Sequence, residues 1–147
     1  MPAEIDSVII CDAATVREGL LHVLGGGVTR LWRPELPAVL AVQVAIFVAY
    51  TQPDFGVPHD ISLQLYDPAG ADFAGARGGF IPADPGRLEI GETMLFPMVF
   101  DFRNYSVLAY GKHSLKVSVS RSESVMNRDF WVLHPDELLI PPLPGLT

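Results

Sequence analysis

Alternation of apolar and polar residues with a period of two runs through most of this chain, and the alternating segments fall into two unlike groups. The runs His59 to Tyr66 (HDISLQLY) and Lys112 to Val119 (KHSLKVSV) each have one apolar and one polar face. The runs Val39 to Tyr50 (VLAVQVAIFVAY) and Met94 to Phe102 (MLFPMVFDF) are apolar on both faces. Successive side chains of a strand point to opposite sides of the sheet. The first pattern therefore predicts strands with one face in water, and the second predicts strands covered twice. Helical periodicity is absent over any useful length. The class expected is all-β: a two-layer antiparallel Ig-like β-sandwich, one sheet of which is covered by something outside its own core.

At 147 residues the chain has the length of one domain, and a domain of that size buries roughly 68–70% of its unfolded surface without needing a disulfide or a metal. The single cysteine, Cys11, excludes an intramolecular disulfide and suits a reducing compartment. The amino-terminal residues Met1 to Ser7 lack the basic region of a secretory signal. The longest apolar run, from Val39, contains Gln43 and falls well short of the ~20 residues of a membrane helix. A cytoplasmic location is expected. The net charge of −7, with the arginines scattered, argues against a nucleic-acid partner. The charged fraction of 18% lies below the ~25% usual for soluble domains, a surplus of apolar side chain of the kind that partners cover.

Strands are expected over Glu4–Asp12, Leu20–Leu24 and Val28–Trp32, with a turn at Arg17, Glu18 and Gly19 between the first two and Gly25 to Gly27 as a bulge or bend between the last two. Further strands are expected over Val39–Tyr50, His59–Tyr66, Asp72–Phe80 (a short edge), Met94–Phe102, Lys112–Val119 and Arg128–Leu133. Pro97 implies an edge or a bulge, because proline has no N–H to give to a ladder. Residues 1–133 make the sandwich domain and 134–147 a Pro-rich apolar tail. With Ig-type connections, Glu4–Asp12, Val39–Tyr50 and Met94–Phe102 share one sheet. His59–Tyr66, Lys112–Val119 and Arg128–Leu133 then share the other. Trp131 has no obvious place in that arrangement.

The small residues Ala41, Ala45 and Ala49, with Phe47 between them, form the second face of a doubly apolar strand and are the candidate protein–protein interface. The chain's own hairpin after Gly19, or its tail, is the alternative cover. Leu138, Leu139, Ile140 and Leu143 of the tail are the other half of that interface, since Pro-rich segments are extended and lose little entropy on docking. Asp54, Asp60 and Asp67, with Asp101 at a strand end, are the weak alternative: carboxylates gathered at one end of a sandwich can hold Ca²⁺, which takes six to eight oxygens. Asp67 is equally explained as a turn residue. Gly25–Gly27 has no helix after it to make a phosphate cradle. His22, His59, His113 and His134 stand singly, without the spacing of a zinc site, and Cys11 among apolar neighbours reads as a buried thiol.

Several of these segments resemble an uncharacterised bacterial family of small Ig-like sandwich proteins, a domain of unknown function. The opening Cys11-Asp-Ala-Ala followed by Gly19-Leu-Leu-His-Val-Leu-Gly-Gly-Gly27 carries most of the likeness. The spacing of Leu63, Leu65, Asp67 and Gly70, the run Phe96 to Phe102, and Gly111, His113, Leu115, Val117 and Val119 add to it. The resemblance implies the sandwich fold and no activity, and the apolar tail looks like an addition to the family pattern. The reading reached is a non-enzymatic protein without cofactor that acts through protein–protein contacts. Its partner is itself, as a homo-oligomeric assembly subunit, or another protein, and neither nucleic acid nor membrane. A ligand- or Ca²⁺-binding module is the second choice.

Overall fold

The computed structural model describes residues 3–138, excluding the side chains of residues 137 and 138. The chain is all-β. Its strands are β1 (Glu4–Cys11), β2 (Ala13–Arg17), β3 (Leu20–Leu24), β4 (Arg30–Trp32), β5 (Ala38–Val39), β6 (Gln43–Tyr50), β7 (His59–Tyr66), β8 (Asp72–Phe80), β9 (Met94–Asp101), β10 (Ser106–Val107), β11 (Gly111–Val119) and β12 (Val125–Leu133). Short 3-10 turns cover Gln52–Asp54 and Pro135–Leu138.

Two sheets carry the core. One is three-stranded, in the order β1-β6-β9, and the other five-stranded, in the order β4-β12-β11-β7-β8. All their pairings are antiparallel except that of β4 with β12. The allocation expected from the two alternation patterns holds: doubly apolar strands lie in the small sheet, amphipathic ones in the large sheet. Val44, Ile46 and Val48 of β6 join Ile61, Leu63 and Leu65 of β7 and Leu115 and Val117 of β11 in one buried cluster. Every second residue of each strand enters it, and each such side chain contributes about 1.5–3 kcal/mol by leaving water.

Three local expectations change. The run from Val39 to Tyr50 is not one strand: it pairs with β10 at Ala38–Val39, breaks, and resumes at Gln43. The break lies at Ala41, whose φ of 58° is left-handed and incompatible with a continuing ladder. Arg33 steadies this corner by donating to the carbonyls of Val39 and Leu40 at 3.0 and 2.8 Å. Gly25–Gly27 is a link rather than a bulge inside a strand. It carries the chain back so that the N–H groups of Gly27 and Val28 both reach the Ile10 carbonyl, at 3.0 and 2.9 Å. Finally, the expected turn before Leu20 closes a hairpin whose first strand, β2, is separate from β1, with Arg17 opposite Leu20. Its two turn residues, Glu18 and Gly19, have φ of 54° and 75°, the combination that matches the twist of a two-residue hairpin.

β9 is an edge strand, as Pro97 requires. Trp131 lies on the outer face of the large sheet opposite Lys112, and is 40% exposed.

Candidate functional site: the outer face of the small sheet

The pairing registers fix what the small sheet shows on the side away from the core. Across β1, β6 and β9 the outward rows are Glu4–Ala49–Leu95, Ser7–Phe47–Pro97, Ile9–Ala45–Val99 and Cys11–Gln43–Asp101. Charge appears at the Asp101 end and, on β1, at Glu4 and at the exposed Asp6, which bulges out beside the Phe47 row. At one end Arg103 grips Asp101 through two bonds of 2.9 Å, which hold that carboxyl below the usual carboxylate range.

The β2–β3 hairpin folds back over part of the face, against β6 and β9. Its anchor is Gln43, whose side-chain oxygen accepts the Ala14 N–H at 2.8 Å. Gly26 lies so close that an added Cβ would come within 3.0 Å of Val23 and 3.2 Å of Ile9, which is why glycine stands there. Under this cover Ala45 and Cys11 are fully buried. Burial raises the Cys11 thiol above its ordinary pKa, and the neighbouring Asp12 charge adds to the effect. The thiol points at the Gln43 carbonyl, 3.4 Å away, and is a small hydrophobe with a weak donor.

The residues proposed for the interface are therefore placed unequally. Ala45 and Ala49 are buried, Phe47 is half-buried, and Ala41 is exposed but sits at the break before β6. A partner reaching this face meets Phe47 and Leu95, the latter 48% exposed. It also meets the hairpin, whose far side presents Leu20 and Leu24 at 63% and 72% exposure. Sequence reasoning missed those two leucines because an apolar strand residue reads as core; only the hairpin's position over a sheet already filled from within leaves them outside. Leu139, Ile140 and Leu143 lie outside the described residues, and Leu138 closes the last 3-10 turn.

The acidic residues are held by separate tasks. Asp54 is buried; its carboxylate accepts the Thr51 N–H at 2.9 Å and lies 3.7 Å from His59 Nε2. Asp67 accepts the N–H groups of Ala69 and Ala71, both at 2.9 Å, and so closes the turn to β8. Asp60 is exposed on β7. Among the described residues no group of three His, Cys, Asp or Glu side chains is placed to hold a metal ion. His113 is buried between Phe130, on which it stacks at 5.3 Å, and the edge of Phe73; its Nδ1 lies 3.0 Å from the Gly111 carbonyl. Burial lowers its pKa, partly opposed by the Gly111 bond and by Asp67. An open groove of about 710 Å³ runs along the outer side of β7 and β8 over Ser62, Gln64 and Gly75. It exists because Gly75 has no side chain opposite Gln64.

Such a molecule is an all-β protein whose small sheet carries a largely apolar outer face. The chain belongs to a family of unknown function, DUF6941, whose model matches residues 6–125. No curated protein matches it.

Proposed function

We propose that this protein works by contact with protein, and that its partner is a second copy of itself. The two-sheet core is read as an Ig-like sandwich, and the interface as the uncovered part of the small sheet's outer face, centred on Phe47, with the tail from Leu138 to Leu143 completing it. The observation that carries the reading is the apolar strip of half-buried Phe47 and exposed Leu95 beside the buried Ala45 and Ala49. An apolar strip of this kind suits burial against another copy of the same face. The setting read for it is the cytoplasm of a bacterium, and the free, buried thiol of Cys11 suits the reducing conditions there.

The test is native mass by light scattering over a wide concentration range, for the full chain, for Phe47→Asp, and for the chain ending before Pro135. An oligomer that Phe47→Asp dissociates, with the tail's removal lowering its affinity, is expected. An oligomer of unchanged mass in both variants would remove this face and the tail from the interface.

A further inference from the structure

The hairpin holds a more specific feature than exposed leucines. Among the described residues β3 pairs only with β2, so its second edge is open. Which backbone groups line that edge follows from one hydrogen bond. Ala14 gives its N–H to Gln43, so that N–H points away from β3. In an antiparallel ladder, directly opposed residues alternate between pairs that exchange both hydrogen bonds and pairs that exchange none. Ala14 and Val23 are therefore a pair of the second kind, and Val23 aims its own N–H and C=O at the open edge. Leu21, two residues away, does the same. Leu20, His22 and Leu24 turn theirs inward, consistent with the Asp12 N–H reaching the Leu24 carbonyl at 3.1 Å.

The edge carries none of the usual safeguards. It has no proline, no lysine and no bulge, and no Asp, Glu or Arg stands on it. The contrasting edge, β8, has the Tyr105 hydroxyl donating to its Gly75 carbonyl at 3.1 Å. The β3 sequence, Leu-Leu-His-Val-Leu, is also close to a palindrome in hydrophobicity. Laid antiparallel to itself with His22 at the centre, it puts Leu20 opposite Leu24 and Leu21 opposite Val23, twice. Both outward-pointing residues then meet outward-pointing residues, and the two most exposed leucines of the hairpin cover each other. Centring on Leu21 or Val23 strands one of those leucines beyond the paired segment.

We propose that β3 pairs antiparallel with β3 of a second copy about a two-fold axis through His22, joining two hairpins into one four-stranded sheet. The proposal rests on the self-association reading above and names a different contact from the Phe47 face. At the axis the two His22 residues form a pair without mutual hydrogen bonds, whose Cα atoms lie about 4.5 Å apart, within the ~4.4–6.8 Å that a disulfide spans.

The experiment is oxidative cross-linking of His22→Cys in the full chain, with Thr15→Cys as control, alongside the native mass of Val23→Pro. The native Cys11 is buried and stays out of the reaction. Thr15 lies across from His22 on β2, and so about three strand spacings from its counterpart, too far to bridge. Val23→Pro removes an N–H that the hairpin's own ladder does not use, and Val23→Ala, which keeps that N–H while trimming the side chain beside Gly26, controls for lost packing and should keep the parent's mass. The expected result is a covalent dimer for His22→Cys only, and a lower mass for Val23→Pro. An associating parent in which His22→Cys links no better than Thr15→Cys, or Val23→Pro keeps the parent's mass, overturns the β3 contact and leaves self-association standing. A parent that is monomeric at every concentration overturns both.

Discussion

The outer faces of the two sheets are built to opposite rules. On the large sheet, β11 turns Lys112, Ser114, Lys116 and Ser118 outward, and Lys112 lies 3.5 Å from Asp129 on the next strand. On the small sheet, β6 turns out Gln43, Ala45, Phe47 and Ala49. Their inner faces obey one rule, since both feed the same apolar cluster. The core therefore does not demand an apolar outer face; the large sheet folds without one. What the small sheet gains is a platform for the β2–β3 hairpin. A two-stranded hairpin alone is marginal in water, and this one keeps its place by laying Ala14 and Val23 toward the platform. The platform covers one side of the hairpin and leaves Leu20 and Leu24 on the other.

The sharpest way to break this comparison is to cut the same strand on its two sides. Ile46 faces the core and is fully buried; Phe47, its neighbour, faces outward and is half-buried. Ile46→Ala is expected to cost about 2–5 kcal/mol by urea denaturation, the range for truncating a core aliphatic. Phe47→Ala, although it removes a larger side chain, is expected to cost less than that in the dissociated chain. Its main effect should be on native mass. Equal losses for the two variants in a monomer would show that the outer face belongs to the core after all.

The hairpin's hold on the platform gives the next effect. Gln43→Leu keeps the volume but removes the acceptor of the Ala14 N–H. A loss of about 1–3 kcal/mol is expected, the cost of a part-buried donor left without a partner. Faster amide hydrogen exchange should appear across Ala13 to Leu24 while β7 and β11 keep their protection. Loosening that spreads evenly over both sheets would mean that the hairpin is no separate unit.

Much of this was legible in advance because strand alternation is a one-dimensional code. The wet and dry faces of the runs from His59 and Lys112 assigned those strands to a water-facing sheet before any pairing was known. Pro97 likewise announced an edge or a bulge, and it stands on an edge. The sequence was silent where three dimensions decide. Ala41 looks like any strand residue, yet it adopts a left-handed conformation at the corner between two pairings. Gly19 announced the turn at Arg17, Glu18 and Gly19, but nothing set Ala13–Arg17 apart as the strand that turn joins to β3. Ala45 and Ala49 were correctly read as lying on the non-core side, but which part of the chain lies over them is a matter of tertiary packing. The three carboxylates looked alike in sequence; a 3-10 turn, a strand and a type of β-turn separate them.

A smaller, pH-dependent effect tests the large sheet. His113 is buried and its folded pKa lies below the ordinary 6.5, so between those values the unfolded chain binds a proton that the fold refuses. Stability contributed by the neutral ring is complete above pH 6.5 and is lost as pH falls through and below that value. The melting temperature should drop over that interval for the parent, and the histidine's share of the slope should vanish in His113→Leu, even if that variant starts from a lower value. A slope unchanged by the substitution would place the proton uptake elsewhere.

The smallest effect expected is from calcium, and it returns to the ends of the sheets. Both oxygens of Asp54 are already engaged, by Thr51 and by the neighbouring His59, and Asp67 spends one oxygen on two turn amides. A cation would have to open that turn and the buried Asp54 contacts to gather the six to eight oxygens it requires. Any such binding would raise stability by mass action, by about 2.7 kcal/mol at a hundredfold excess over Kd. The expectation is an unchanged melting temperature in millimolar Ca²⁺ and in chelator, for both the parent and Asp67→Asn. A calcium-dependent rise that Asp67→Asn abolishes would move the functional site from the apolar face of the small sheet to the loops at the sheet ends.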